Sequence, residues 1–500
     1  MSSDRLRQPD DIPWLHGLVS RREIVRGAAI AAGLLAGGSH LSESALAKKK
    51  PKVEYRFPKG FLWGAGCSGL QHEGSPLADG ASQSIMYRWA HTPGKVPEGG
   101  TFDVSADFYR RFRSDIKLMR ELNLQAYNFE VYWPRILPEG TGRVNQRGLD
   151  FYDRLVDEFL KTGIAPLCNL YVFDHPAALQ DRGGWLNRDS AEWFAQYASI
   201  LFDRLGDRVK YWTTICELHF LNHMSCVAGA LPPELRDLSA SLRANHHLLL
   251  GQGRAVQAFR ASRAKGQIGN QHAVIPVKPA SASEEDVAAA GRANAYFNLL
   301  ALDSQLRGMY PQELIDWYGA KWPSDIVAPG DMVTISTQMD FFGMDYYFSW
   351  IVQNDLSNAM GPLSADLQAR VVGAKGTGDG LREALAWVRE RYGDRPILLL
   401  EIGSAVEDTV DHGRVNDSAR LAYIRDLLTG AHRAISDGVD LRGSFIWSFL
   451  DGWEFGRGLS SRYGLVYVDY QTQDRIVKDS GRWYRDMIAA NSFNLPDEKS

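Results

Sequence analysis

Tyr211-Trp212-Thr213-Thr214-Ile215-Cys216-Glu217 and Ile397-Leu398-Leu399-Leu400-Glu401 follow one plan: a run of aromatic, β-branched and aliphatic residues, stopped by a single glutamate. Such a run reads as a strand buried on both faces, as in a parallel sheet covered by helices. Its glutamate then stands at the C-terminal tip. Working outward, β-rich runs recur at 61–65, 126–130, 165–171, 267–271, 341–346 and 443–447, which with 211–216 and 397–400 makes eight. Helical patterns alternate with them at 107–122, 148–162, 191–205, 239–260, 380–392 and 419–437. In the first, Phe108, Phe112, Ile116, Leu118 and Met119 make one apolar stripe, and Ser239 is placed to cap the fourth. Eight strand–helix units predict an α/β fold, a single (β/α)₈ TIM barrel. The competing doubly wound sheet is the weaker reading, because no G-x-x-x-x-G-K-[ST] phosphate-binding loop occurs in the chain. No Pro/Ser-rich linker divides the chain, and no solenoid period recurs. The length beyond the roughly 250 residues of a plain barrel is assigned to long βα loops, on the face where barrel enzymes carry their chemistry.

The 500 residues include 56 basic and 60 acidic side chains, a formal charge of −4. That balance argues against a nucleic-acid partner, which calls for a basic face. No apolar run reaches the ~20 residues that span a bilayer. Cys67, Cys168, Cys216 and Cys226 form no C-x-x-C pair, so a structural zinc site is not expected; buried thiols are the simplest reading, with any pairing left open. The beginning reads as an address. Ser20-Arg21-Arg22-Glu23-Ile24-Val25-Arg26 precedes an apolar, small-residue run at 27–38, and Ala45-Leu46-Ala47 supplies a cleavage site. The paired arginines resemble a twin-arginine signal, implying the twin-arginine export machinery as a partner and a periplasmic or secreted bacterial protein without stable membrane insertion. The expected organisation is a signal peptide at 1–47, an N-terminal segment at 48–56, the barrel at 57–490 and a tail at 491–500. Residues 1–47 hold five arginines and five acids, so the remaining chain keeps its charge of −4.

Two rigidly held glutamates at the ends of strands four and seven suit one chemistry well. A retaining glycosidase needs one carboxylic acid to protonate the leaving oxygen and a carboxylate to attack the anomeric carbon, about 5 Å away. A lone strand-end glutamate is often only a salt-bridge partner; a pair is more specific.

Several motifs then converge, in order, from 57 to 484. They are Phe57-Pro58-Lys59-Gly60-Phe61-Leu62-Trp63-Gly64, Gln71-His72-Glu73-Gly74, Trp133-Pro134-Arg135-Ile136, Gly148-Leu149-Asp150-Phe151-Tyr152-Asp153, Gly183-Gly184-Trp185, Trp447-Ser448-Phe449-Leu450-Asp451 and Tyr463-Gly464-Leu465-Val466-Tyr467-Val468-Asp469. Together they resemble glycoside hydrolase family 1, the β-glucosidase family. The resemblance implies a small-molecule glycoside substrate, no cofactor and no metal. It maps the acid/base to Glu217 and the nucleophile to Glu401. Gln71 and Glu454 would bond sugar hydroxyls, Trp447 would contact the ring, and Tyr347 would donate to Glu401.

The departures from the family pattern gather around the sugar. Cys216 stands where an asparagine contacts the 2-hydroxyl, and Val172 where a histidine holds the 3-hydroxyl. Asn128 replaces an arginine near the nucleophile, Asp345 an asparagine and Phe455 a tryptophan, while Glu130 adds an acid. Each hydroxyl buried without a partner costs about 1–3 kcal/mol, so plain glucose should fit poorly and a sugar altered at C2 or C3 better. Losing the arginine, and adding Glu130 and Asp345, should raise the pKa of Glu401. His219 is expected to line the leaving-group subsite. With His223 it also offers an i, i+4 metal pair, and His175 and His272 follow strands three and five, which leaves a metal-dependent lyase or aldolase as a third function behind a non-hydrolytic carbohydrate binder or transglycosylase.

Overall fold

A computed structural model describes residues 53–97, 100–357 and 365–495. The expected leader, 1–47, lies outside them. Eight parallel strands close into a barrel: β1 (Leu62–Cys67), β2 (Ala126–Glu130), β3 (Ala165–Tyr171), β4 (Tyr211–Cys216), β5 (Gln267–Ala273), β6 (Phe342–Asp345), β7 (Ile397–Ile402) and β8 (Leu441–Trp447). Each expected strand is present, and neighbours in sequence are neighbours in space around the full circle, the (β/α)₈ order.

Side chains alternate along each strand between the barrel interior and the helices outside. The lower interior is filled by Ala126, Leu167, Phe341, Leu398, Leu400 and Phe445. Two glycines make room for the rings: a Cβ on Gly64 would lie 2.4 Å from Phe445, and one on Gly269 2.5 Å from Phe341. With its base packed shut, the barrel opens only at the C-terminal ends of its strands.

The outer ring comprises α1 (Phe108–Glu121), α2 (Gln146–Thr162), α3 (Ser190–Leu205), α4 (Leu238–Ala261), α5 (Leu300–Arg307), α6 (Gly378–Tyr392), α7 (Ser418–Ser436) and α8 (Asp479–Ala490). Helix α1 buries Phe108, Phe112, Ile116 and Met119, the stripe read from its spacing, while Leu118 is only partly covered. Helix α4 is capped by Asp237, not Ser239: the Asp237 carboxylate accepts from the amide of Ala240, and Ser239 already lies within the first turn. The extra length is spent on βα loops. After β5 and β6 they build a side sheet of Val277–Pro279, Ser349–Asn354 and Ala369–Lys375, backed by helix Glu284–Asn294. The two ends of the described chain meet as Glu54–Arg56 pairs antiparallel with Ser492–Asn494. No described helix is long and apolar enough to cross a membrane.

Candidate active site

Strand register places the site. Cys216 at the end of β4 pairs with Gln271 on β5, and Asp345 at the end of β6 pairs with Glu401 on β7. Four polar side chains from four consecutive strands thus meet above the apolar base. Glu217 follows at once, with φ 43° and ψ 34°, where β4 turns into helix Leu218–Cys226. A non-glycine residue in the left-handed region is strained, and such strain collects where a side chain must be aimed.

These residues open onto a cavity of about 210 Å³ at the C-terminal face of the barrel. Glu217 and Glu401 line it together with Gln71, Trp447 and Glu454. Val172, Cys216, Asp345, Tyr347 and Phe455 complete the part of the wall nearest the carboxyls. The Tyr347 hydroxyl donates to Glu401 Oε2 at 2.6 Å, and Gln271 Nε2 donates to Glu401 Oε1 at 2.8 Å. The Cys216 thiol approaches that same Oε1 at 3.7 Å. Gln71, itself oriented by Ser68, donates to Glu454 Oε2 at 3.0 Å.

The environments separate the two strand-end glutamates. Burial, reinforced by the charge of Glu401, pushes the Glu217 carboxyl up to about 8. Burial also raises Glu401, but bonds from Tyr347, Cys216 and Gln271 favour its charged form, and it reaches about 7. Asp345 is held well above the ordinary carboxylate range by burial and then by the charges of Glu401 and Glu217. Burial lifts Glu454 to about 8 against bonds from Trp447 and Gln71.

Three sequence expectations change. His219 does not line the cleft: it is buried, its Nδ1 meets Asn245 Oδ1 at 3.0 Å and its ring packs edge-on against Tyr296. The helix after Glu217 turns its histidines inward, and His223 bonds the Tyr296 hydroxyl. Asn128 sits beneath the cleft rather than in its wall, its Nδ2 3.5 Å from Gln271 Oε1. Glu130 braces two loops instead of charging the nucleophile, its oxygens accepting from the amides of Gly69 at 2.9 Å and Val172 at 2.8 Å. His272 and His175 bond Gln305 and Gln180, away from one another. All four cysteines are free and buried. Among the described residues, the His, Cys, Asp and Glu side chains close enough to share one ion are Cys216, Asp345 and Glu401, the Cys216 thiol lying 3.7 Å from Glu401 Oε1 and 3.9 Å from Asp345 Oδ2. Gln271 is the residue that sequence reasoning missed. The available signal was a polar side chain at an inward-facing strand position.

The chain matches the profile described as Glycosyl hydrolase family 1 over residues 53–493. It is 42% identical to Beta-glucosidase A of Thermotoga maritima over 88% of this chain and 99% of that protein. It is 36% identical to the Bifunctional beta-D-glucosidase/beta-D-fucosidase of Bifidobacterium breve over 87% of this chain and 99% of that one. The solved structure of the family 1 β-glucosidase from Thermotoga maritima superposes with a TM-score of 0.84 at 41% identity, covering 89% of this chain and all of that one. Its complex with deoxynojirimycin superposes with a TM-score of 0.84 at 41% identity, over 88% and 100% of the two chains. The chain belongs to glycosyl hydrolase family 1 and is an O-glycosyl hydrolase of the retaining class.

Proposed function

We propose that this enzyme cleaves small-molecule β-glycosides by double displacement, with Glu401 as nucleophile and Glu217 as acid/base. One observation carries the assignment: both strand-end carboxyls line a single cleft, where Tyr347 and Gln271 donate to the Glu401 carboxylate and favour its charged form, while burial and the charge of Glu401 hold the proton on Glu217. Two carboxyls pushed apart in this way divide into acid and nucleophile. Glu401 forms a bond to the anomeric carbon as the glycosidic C–O bond breaks, and Glu217 gives its proton to the departing oxygen. Glu217, now charged, takes a proton from water; the water oxygen bonds the same carbon and frees Glu401. An alcohol in place of water gives transfer instead of hydrolysis. Tyr347 steadies Glu401, while Gln71, Glu454 and Trp447 take the far side of the sugar. Labelling with an activated 2-fluoro glycoside tests the roles: a covalent sugar on Glu401 is expected, and an adduct on any other carboxyl overturns them.

The sugar we propose is one altered at C2 or C3. In support, Val172 and Cys216 present an aliphatic face and a thiol to the cleft, where an imidazole or an amide would bond a hydroxyl. An unmodified aryl β-glucoside should be turned over slowly; turnover typical of an efficient enzyme, about 10⁴ M⁻¹s⁻¹ or higher in kcat/KM, rules the idea out.

Export by the twin-arginine route is the reading of 1–47, supported by Arg21-Arg22, the apolar run and the cleavage site. Replacing Arg21 and Arg22 by lysine should retain the protein in the cytoplasm with its leader uncut, and normal export of that variant contradicts the route.

A further inference from the structure

We propose that Gln271 is the positioning residue for the nucleophile: its side-chain amide, locked in one orientation by a relay from the β3 backbone, holds the Glu401 carboxylate. The inference rests on the roles given above to Glu401 and Glu217.

The relay begins at a group that can only donate. The amide N–H of Tyr171 bonds Asn169 Oδ1 at 3.0 Å, which fixes the Asn169 amide. Asn169 Nδ2 must then point the other way, and it donates to Gln271 Oε1 at 2.9 Å. Asn128 Nδ2 approaches that oxygen from β2 at 3.5 Å. With its carbonyl taken, Gln271 can present only its NH₂ to the cleft. One N–H reaches Glu401 Oε1 at 2.8 Å and the other reaches Asp345 Oδ1 at 3.2 Å. A flipped Gln271 would set its carbonyl oxygen against two carboxyls and its NH₂ against that of Asn169, so the orientation is enforced from both ends.

The same residue grips the other half of the site. The main-chain amide of Glu217 donates to Gln271 O at 2.9 Å, at the point where the chain takes its left-handed turn. Gln271 therefore ties the nucleophile, through its side chain, to the backbone that aims the acid. The whole residue is buried and stands beneath the cleft wall, so it acts through Glu401 rather than on the sugar.

The groups facing Glu401 explain why a neutral donor matters. Cys216 and Glu217 come from the end of β4, Asp345 and Tyr347 from β6 and its loop, Glu454 and Tyr463 from the loop after β8, and Cys67 from β1. Every one of these is an acid, and each in its charged form disfavours a charged Glu401; the cation lining the same cleft is Arg457, also from the loop after β8. The Gln271 N–H lies on the oxygen that Tyr347 does not reach, and it counters that repulsion.

The test uses the full-length enzyme and an aryl glycoside with a strongly activated leaving group, so that the first step depends little on Glu217. Q271L keeps the bulk and removes both donors. It should lower kcat/KM about a hundredfold, with the loss in kcat rather than KM. The acid limb of its pH profile should move up by about one unit. N169L leaves Gln271 in place but held from the cleft end only, and should move the same limb in the same direction by less. Melting temperatures show whether each variant is folded; if Q271L does not fold, N169L alone decides. An unmoved acid limb in the folded variants overturns the proposal, whatever the loss in rate. If wild-type enzyme is labelled on a carboxyl other than Glu401, the roles themselves fail. If wild type is labelled on Glu401 and the limb still does not move, only the part given to Gln271 fails.

Discussion

Two groups of buried carboxyls stand at the same end of this barrel, and they are neutralised in opposite ways. Asp408, Asp417 and Asp451 are matched by cations. Arg420 pairs with Asp408 at 2.9 Å and also with Asp417; Lys478 bridges Asp408 and Asp451 at 2.5 and 2.6 Å; Arg462 reaches Asp451 at 2.7 Å. Glu401, Asp345 and Glu454 are instead held by neutral donors: Tyr347 and Gln271, Gln271 and Cys216, and Gln71 and Trp447 respectively. In the first group each charge is compensated on the spot, and the result is a rigid tie between the loops after β7 and β8 and the start of α8. In the second group compensation is incomplete. Burial then raises all three, and it brings Glu401 to about 7 and Glu454 to about 8, where a proton can be exchanged near neutral pH. Balanced charge builds the frame of the cleft, and incompletely balanced acids line its interior.

Removing one member of each group sharpens the contrast, because the losses should fall on different properties. E401Q is expected to cut kcat/KM on an activated aryl glycoside by about ten-thousandfold or more, since Glu401 is the group proposed to form the covalent intermediate. Its melting temperature should hold or rise, because a buried acid has been replaced by a neutral isostere. R420M should do the reverse: Asp408 and Asp417 lose their shared partner in a dry setting, and denaturant unfolding should show about 3–5 kcal/mol of lost stability. If R420M proved stable while E401Q unfolded, the division of labour between the two groups would be wrong.

The two groups also differ in how far the sequence reveals them. The strand-end glutamates are legible because a local pattern announces each one: an apolar run with a single acid at its end. The eight strands are legible for the same reason, being short runs of β-formers separated by periodic helices. The ion-pair group has no local signature. Asp408 and Lys478 are 70 residues apart, and each looks like an ordinary surface charge until the loops close over them. Gln271 escaped notice because Gly269-Asn270-Gln271-His272 is polar for a strand, and only its register against Cys216 turns the amide toward Glu401. For His219, adjacency to Glu217 in sequence is not adjacency in the cleft. The helix that starts at Leu218 rotates the next side chain by about 100°, into the core. The cap of α4 shows the same limit on a smaller scale, since either Asp237 or Ser239 satisfies the preference and only the backbone angles decide.

The smallest effect probes the comparison through stability rather than rate. Burial holds the Glu454 carboxyl at about 8, whereas an unfolded chain would release that proton near 4.5. Between those values the folded state binds more protons than the unfolded state, so raising the pH must cost stability. This contribution is fully present below about 4.5 and is lost as pH rises through about 8. E454Q cannot titrate, and its oxygen can still accept from Gln71. Its melting temperature should therefore match wild type at acid pH, pull ahead as the pH climbs, and keep a constant lead above about 8. The lead should correspond to about 2 kcal/mol, less than the full shift would give at ~1.4 kcal/mol per unit, because Glu454 lines the cleft and keeps some contact with its water. The cation-paired group supplies the control: D451N removes a carboxylate that Lys478 and Arg462 already neutralise, so at neutral pH it should lower the melting temperature where E454Q raises it. If both substitutions destabilised alike across the pH range, the cleft acids would be as well compensated as the frame, and the source of their raised affinity for protons would have to lie elsewhere than in incomplete neutralisation.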